Sequence, residues 1–124
     1  MELLQVAQHA DDLDRAAAFY TKLLGTEPVA RFDPPGLLFF ALGDVRLLLE
    51  QGASPAVLYL RVDDVRRRVE ELRADGVAIH TEPHLIFSHA TADLGPAGTE
   101  EWHAFITDSE GNLVALVSQE KPRH

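Results

Sequence analysis

The chain has 124 residues, 46% hydrophobic and 25% charged, with 20 acidic side chains against 11 Lys and Arg and a net charge of −9. That balance predicts one globular domain with a real core, and it excludes a nucleic-acid partner, whose phosphates require clustered cations. No cysteine is present, which removes disulfides, thiolate catalysis and Cys-ligated metals.

No apolar run approaches the roughly 20 residues of a membrane span, and no signal peptide is visible. The expectation is a cytoplasmic protein with no membrane partner. In chain order, residues 2–9 alternate as a first strand, with Gln5 and His9 on one face and Val6 and Gln8 on the other. A helix over about 12–24 follows, opened by Asp12 and burying Leu13, Ala16, Tyr20 and Leu23. Residues 27–32 read as a strand and Asp33-Pro34-Pro35-Gly36 as a turn. Strands over 37–42 and 45–50 form a hairpin across Gly43-Asp44.

Residues 51–55 are the only linker-like stretch, and a second cycle begins after them. Residues 56–62 read as a strand and 63–75 as a helix on Val65, Val69 and Leu72. Its basic run, Arg66-Arg67-Arg68, is balanced by Glu70 and Glu71, as a solvated helix face should be. Extended segments over 77–81 and 83–88 lead into a Gly-containing loop, and strands over 101–107 and 112–118 close the chain around Asp108–Asn112. The tail from Gln119 is expected to fray.

The two halves match. Ala10-Asp11-Asp12-Leu13 and Val62-Asp63-Asp64-Val65 each follow an apolar strand, open a helix, and lie about half the chain apart. Asp12, Asp63 and Asp64 therefore read as helix caps, since a carboxylate accepts from the free N–H groups of a first turn. Strand–helix–three strands, twice over, predicts an α+β fold with one helix on one face of each sheet.

At this point the residues resemble a known family. Asp12-Leu13, Phe19-Tyr20 and Leu24-Gly25, together with Asp108-Ser109-Glu110-Gly111-Asn112 before the last strand, are similar to the vicinal oxygen chelate superfamily. That superfamily includes glyoxalase I, bleomycin resistance proteins, methylmalonyl-CoA epimerase and extradiol dioxygenases. The resemblance spans about 2–118. It implies one domain over 1–124 made of two βαβββ modules, about 2–50 and 56–118, whose curved sheets form a cup, and it implies a homodimer.

The resemblance also implies four metal ligands, two per module, of which this chain keeps one. The first position is Gln5, an acceptable donor. The second falls at Leu47 or Leu48, the third at Val57 and the fourth at Ala115. Hydrocarbon side chains have no lone pair to donate, so neither the usual metal nor another cofactor is expected.

Other residues could still carry chemistry. Glu50 alternates with Leu48 and would face the cup, where burial would raise its pKa and make it a general base; at a strand end it would simply be solvated. His84 and His103 could serve as acid, base or hydrogen-bond donor, or could be rim residues. A displaced metal site built from some of His80, His84, His89, His103 and Glu50 is the alternative use of these groups. His9 and His124 read as solvent-exposed. The loop from Phe87 to Trp102, with Gly95, Gly98, Glu100 and Glu101, suits a lid anchored by the only tryptophan, or a plain surface loop.

Two functions follow, beside a structural role in which the cup is collapsed and filled by its own side chains. The first is a metal-independent protein that binds a small organic molecule in an apolar cup lined by Gln5, Leu48, Val57, Trp102 and Ala115. The alternative is a metal-independent lyase or epimerase/isomerase acting on a small carbonyl compound or thioester. It would use Glu50 with His84 or His103 as its catalytic acid–base pair.

Overall fold

A computed structural model describes residues 2–123, and its chain falls into two compact units. The first holds the chain through Ala56 together with Ser109–Asn112; the second holds Val57–Asp108 and the chain from Leu113 onward. His124 lies outside the described residues.

The first unit runs β1 (Gln5–His9), α1 (Leu13–Leu24), β2 (Ala30–Phe32), β3 (Leu37–Leu42) and β4 (Val45–Glu50). Its strands lie in the order β1-β4-β3-β2, with β1 parallel to β4 and the other pairs antiparallel. The helix starts where expected because the Asp12 carboxylate accepts from the Arg15 N–H at 3.1 Å. It stops at Gly25, whose φ of 72° lets its N–H reach the Thr21 carbonyl. Ala16 and Tyr20, one turn apart, are buried on its inner side, and the Tyr20 ring packs against Phe40.

Alternation sorts the sheet into two faces. Val6, Gln8, Leu38, Phe40, Leu47 and Leu49 share one face by register, and all but Val6 are buried. Gln5, Ala7, His9, Phe39, Leu48 and Glu50 share the other. Gln8 is a polar group in the buried layer, yet it is satisfied. Its Nε2 donates to the Ala56 carbonyl at 2.8 Å and its Oε1 accepts from the Ala56 N–H at 2.7 Å.

The second unit repeats the plan: β5 (Leu58–Arg61), α2 (Val65–Ala74), β6 (Ala78–Ser88), β7 (Glu100–Thr107) and β8 (Leu113–Glu120), in the order β5-β8-β7-β6. Asp64 alone caps α2, accepting from Arg67 N–H at 3.1 Å, while Asp63 is exposed. Val65, Val69 and Leu72 pack inward with Ala104, Ile106, Val114 and Leu116. Three boundaries differ from the sequence expectation. The segments around Pro83 form one strand, because β6 is an edge strand and absorbs the proline with register shifts against β7. The first strand of this unit is shorter than the expected 56–62, covering Leu58–Arg61. The last strand also runs through Gln119 to Glu120 rather than fraying, since the Glu120 carboxylate is held by Arg66, Ser118 and Arg123.

The turn before β8 does more than turn. Glu110 accepts from the Arg15 guanidinium at 2.7 and 3.0 Å and from the Asp12 N–H at 2.9 Å, and Asn112 Nδ2 donates to the His9 carbonyl at 2.8 Å. Among the described residues, no helix is long and apolar enough to cross a membrane.

Candidate functional site

The face of the second sheet turned away from α2 carries three rows of side chains, set by strand register. Tyr59, Ala115, Phe105 and Thr81 form an aromatic and small row. Arg61, Val117, His103 and His84 form a row bearing a guanidinium and two imidazoles. Gln119, Glu101 and Phe87 form the third. The Tyr59 ring meets His103 and Phe105 edge-on, with centroids 5.9 and 6.2 Å away. Above these rows is an open cavity of about 370 Å³, lined by Tyr59, Arg61, Phe87, Leu94, Glu101, His103, Val117 and Gln119.

Glu101 is the hub of this surface. Its Oε1 accepts from His89 Nε2 and Gln119 Nε2, both at 2.9 Å, and its Oε2 accepts from His103 Nε2 at 2.6 Å. Burial opposes ionisation of Glu101, but the hydrogen bonds from Gln119, His103 and His89 and the charge of His103 outweigh it. The carboxyl is held below its ordinary value and stays ionised at neutral pH. An ionised carboxylate only accepts, so both imidazoles place a proton on Nε2. With Nε2 bearing a proton towards Glu101, the nitrogen of His103 left to exchange a proton with a ligand is Nδ1.

Residues 89–99 are pinned over one side of this network. His89 N–H donates to the Thr99 carbonyl and Gly98 N–H to the His89 carbonyl, each at 2.8 Å, closing the loop at its base. Gln119 Nε2 also reaches the Leu94 carbonyl at 3.2 Å. Gly95 approaches so closely that a Cβ there would stand 2.5 Å from Gln119 Nε2 and 2.9 Å from His89 Cε1. A side chain there would push the Gln119 amide aside. The loop presents Leu94, 76% exposed, to the cavity.

The residues singled out from sequence are distributed unevenly. His84 and His103 are direct cross-strand partners, and only His103 lines the cavity. Ala115 is fully buried beside Tyr59 and Phe105, and Val57 precedes β5, half exposed. Gln5, Leu48 and Glu50 belong to the first unit, on the sheet face opposite the buried layer; Leu47 points into that layer, so Leu48 is the residue sharing the Gln5 face. Trp102 needs correction as a cavity residue. It alternates with Glu101 and His103, so it turns to the α2 side, where the Arg66 guanidinium lies 4.3 Å above its ring. Sequence reasoning passed over Tyr59, Arg61 and Gln119; it set Glu101 in the loop and at the start of a strand, and His89 in the loop and among the ligands of a displaced metal site. The Glu101-Trp102-His103 alternation was the available signal for pairing a carboxylate with an imidazole on one face.

With the fold and this surface described, the chain can be compared with known proteins. The profile of the Glyoxalase/Bleomycin resistance protein/Dioxygenase superfamily matches residues 2–116. The chain belongs to that superfamily. It is 32% identical over 125 residues to the cadmium-induced protein CadI of Mycobacterium tuberculosis, covering 89% of this chain and 80% of that one. It is 28% identical over 129 residues to a trivalent organoarsenical cleaving enzyme of Thermomonospora curvata, covering 93% and 83%. TnmS3, an antibiotic binding protein from Streptomyces sp. CB03234, superposes with a TM-score of 0.69 at 21% identity, covering 97% of each chain.

Membership of the superfamily raises the question of a metal, and the donor set answers it. Of Gln5, Leu48, Val57 and Ala115, only Gln5 has an oxygen to offer, so these four positions do not fit a divalent ion. Among the described residues, no other group of three His, Asp or Glu side chains is disposed to hold one.

Proposed function

We propose that this superfamily member binds a small organic molecule on the second sheet, over Tyr59, Val117 and His103. The observation that carries the reading is the composition of the cavity. Apolar and aromatic walls from Tyr59, Phe87, Leu94 and Val117 surround a few convergent polar groups on Arg61, Glu101, His103 and Gln119. Hydrophobic walls supply affinity and fixed polar groups supply orientation. Support also comes from TnmS3, which shares the fold and is an antibiotic binding protein. The names of the two curated relatives suggest cadmium and trivalent arsenic, both soft and thiol-seeking, but this chain has no cysteine to meet them.

The test is a screen of aromatic, metabolite-sized compounds by amide NMR. Binding should shift the resonances of Tyr59, His103, Val117 and Gln119 together. Hits that all map elsewhere, or no hit at all, would overturn the reading.

A second reading rests on the His89–Glu101–His103 chain. His103 Nδ1 could take a proton from carbon alpha to a substrate carbonyl, the electron pair moving onto the carbonyl oxygen, while Glu101 balances the imidazolium. Returning the proton from His103 to the neighbouring atom completes a metal-independent isomerisation, or a lyase step follows if a leaving group departs with the electron pair instead. In this reading His103 acts as the base, the role the sequence suggested for Glu50, and Glu101 supplies the counter-charge. Solvent deuterium appearing at that carbon of a bound carbonyl compound, and lost in His103→Asn, would be the signature; no exchange would exclude the reading.

We also propose a cytoplasmic homodimer. Leu3 and Leu4 beside β1, and Val29 and Phe32 at β2, are more than half exposed, so both edges of the first unit's sheet carry apolar side chains that a second copy would cover. Light scattering of the purified chain at micromolar concentration should give twice the monomer mass, and a monomer mass would end the proposal.

A further inference from the structure

The cavity has a charge pattern that the binding reading does not use. Arg61 lines it, is exposed, and forms no ion pair or hydrogen bond among the described residues. Arg15, Arg31, Arg66, Arg68, Arg73 and Arg123, by contrast, are each salt-bridged to Asp or Glu, and Arg46 and Arg67, which have no salt bridge among the described residues, do not line this cavity. In a chain of net charge −9, an unpaired guanidinium at a cavity wall is a position left for an incoming partner. The register fixes what stands beside it. Arg61 pairs with Val117, and Val117 pairs with His103 on its other side. The guanidinium and the imidazole therefore flank a flat apolar residue, with their backbones about 10 Å apart across two strand spacings. One row away lie Tyr59, Ala115 and Phe105.

The carboxylate facing the same space is Glu101, and it is already occupied. Both its oxygens accept hydrogen bonds, from His89 and Gln119 on one and His103 on the other. Three of its roughly four acceptor sites are already filled, so it offers a cationic ligand far less than the open fork of Arg61 offers an anion. An anionic ligand needs to break nothing.

Resting on the small-molecule reading above, we infer that the ligand is an aromatic organic acid, its planar body over Tyr59 and Val117 and its anionic group on the Arg61 guanidinium. Arg presents paired donors that match the two oxygens of a carboxylate, and an aromatic body suits the edge-on ring cluster of Tyr59, His103 and Phe105. The free cation supplies the selectivity, since an uncharged isostere would fill the same walls without satisfying Arg61.

The experiment uses matched probes on benzene, naphthalene and indole scaffolds: the carboxylic acid, its primary amide and the aminomethyl analogue. Affinities are read from NMR titration of the full chain and of Arg61→Met, which keeps the apolar stem without the charge. The acids should bind about tenfold tighter than their amides, and the amines weakest. Arg61→Met should erase the difference between acid and amide while leaving amide affinity in place, and added salt should weaken the acids only. Amides binding as tightly as acids, or acid affinity unchanged in Arg61→Met, would overturn this inference and leave the binding reading standing. If none of the probes binds, both fall.

Discussion

Glu110 and Arg15 are joined by two hydrogen bonds, from Nε to Oε2 at 2.7 Å and from Nη2 to Oε1 at 3.0 Å, although most of the chain separates them. The Glu110 side chain is fully covered, while Arg15 is half exposed. The same carboxylate accepts from the Asp12 N–H, so it fixes the residue that caps α1. The loop before β8 is thereby tied to the start of the first helix.

That tie sets a pH dependence. The Arg15 guanidinium, working against burial and helped by the Asp12 N–H and Ser109, lowers the Glu110 carboxyl from 4.5 to about 2. A carboxyl depressed in the folded state stabilises the fold above its unfolded value of about 4.5, and that contribution is lost as pH falls towards about 2. Glu110→Gln should cost about 1–2 kcal/mol at pH 7, a figure reduced for the solvent screening of the exposed Arg15. The gap between the variant and the parent in urea unfolding should narrow between pH 4.5 and pH 2. A gap of the same size at both ends of that range would show that the pair contributes nothing through ionisation.

Gln8 makes a second prediction. Both halves of its amide pair with the backbone of Ala56, and the side chain has no exposure to solvent. Gln8→Leu keeps the volume but strands the Ala56 N–H and carbonyl, each of which costs about 1–3 kcal/mol when unpaired and buried. The variant should lose about 2–4 kcal/mol in chemical denaturation, and the Ala56 amide should exchange with solvent much faster. Unchanged exchange at Ala56 would mean that water or another group replaces Gln8.

These contacts also mark how far the sequence could be read. Local signals held well. Asp12 and Asp64 announced the helices because capping acts within one turn, and the apolar period of Val65, Val69 and Leu72 needs no knowledge of distant residues. The α+β repeat followed from the same short-range cues, and family motifs completed the topology. Glu110, in contrast, read as a turn residue because its partners lie at the other end of the chain. The candidate site was hidden for a related reason. Arg61, His103 and Gln119 meet through the β5-β8-β7 register, which the one-dimensional pattern does not contain. Trp102 misled because a lone aromatic after a Gly-containing loop suggests an anchor, whereas strand parity turned it towards Arg66.

Gly95 tests whether the loop and the Glu101 network are one assembly. A methyl group at position 95 would overlap Gln119 Nε2 and Cδ and crowd His89 Cε1. The flexible Gln119 side chain can swing aside, so Gly95→Ala should keep the fold with a melting temperature within a few degrees of the parent. It should, however, lose the Gln119 hydrogen bonds to Glu101 and Leu94. The Gln119 side-chain amide resonances should move to positions typical of a solvated glutamine, and affinity for any ligand of the cavity should fall about tenfold. Gln119 resonances unchanged from the parent would separate the loop from the site.

Glu101→Gln removes the charge at the centre of the site while nearly preserving its shape. An amide has one acceptor end and one donor end, so it cannot accept from His89 and Gln119 at one atom and from His103 at the other. At least one imidazole must change tautomer or lose its bond, and for His103 that moves the lone pair off Nδ1. The Glu101 carboxyl is held below its ordinary value, so its stabilising contribution is present above the unfolded pKa and is lost as pH falls through the folded one. Glu101→Gln should therefore be less stable than the parent near pH 7 and approach it in acid. If the cavity serves binding alone, an aromatic acid on Arg61 should bind the variant as well or better, because a negative charge has left its surroundings. If it serves proton transfer, exchange at the substrate carbon should drop by about a hundredfold while binding survives. Measuring affinity and exchange on this one variant therefore distinguishes a cavity that holds its ligand from one that transforms it.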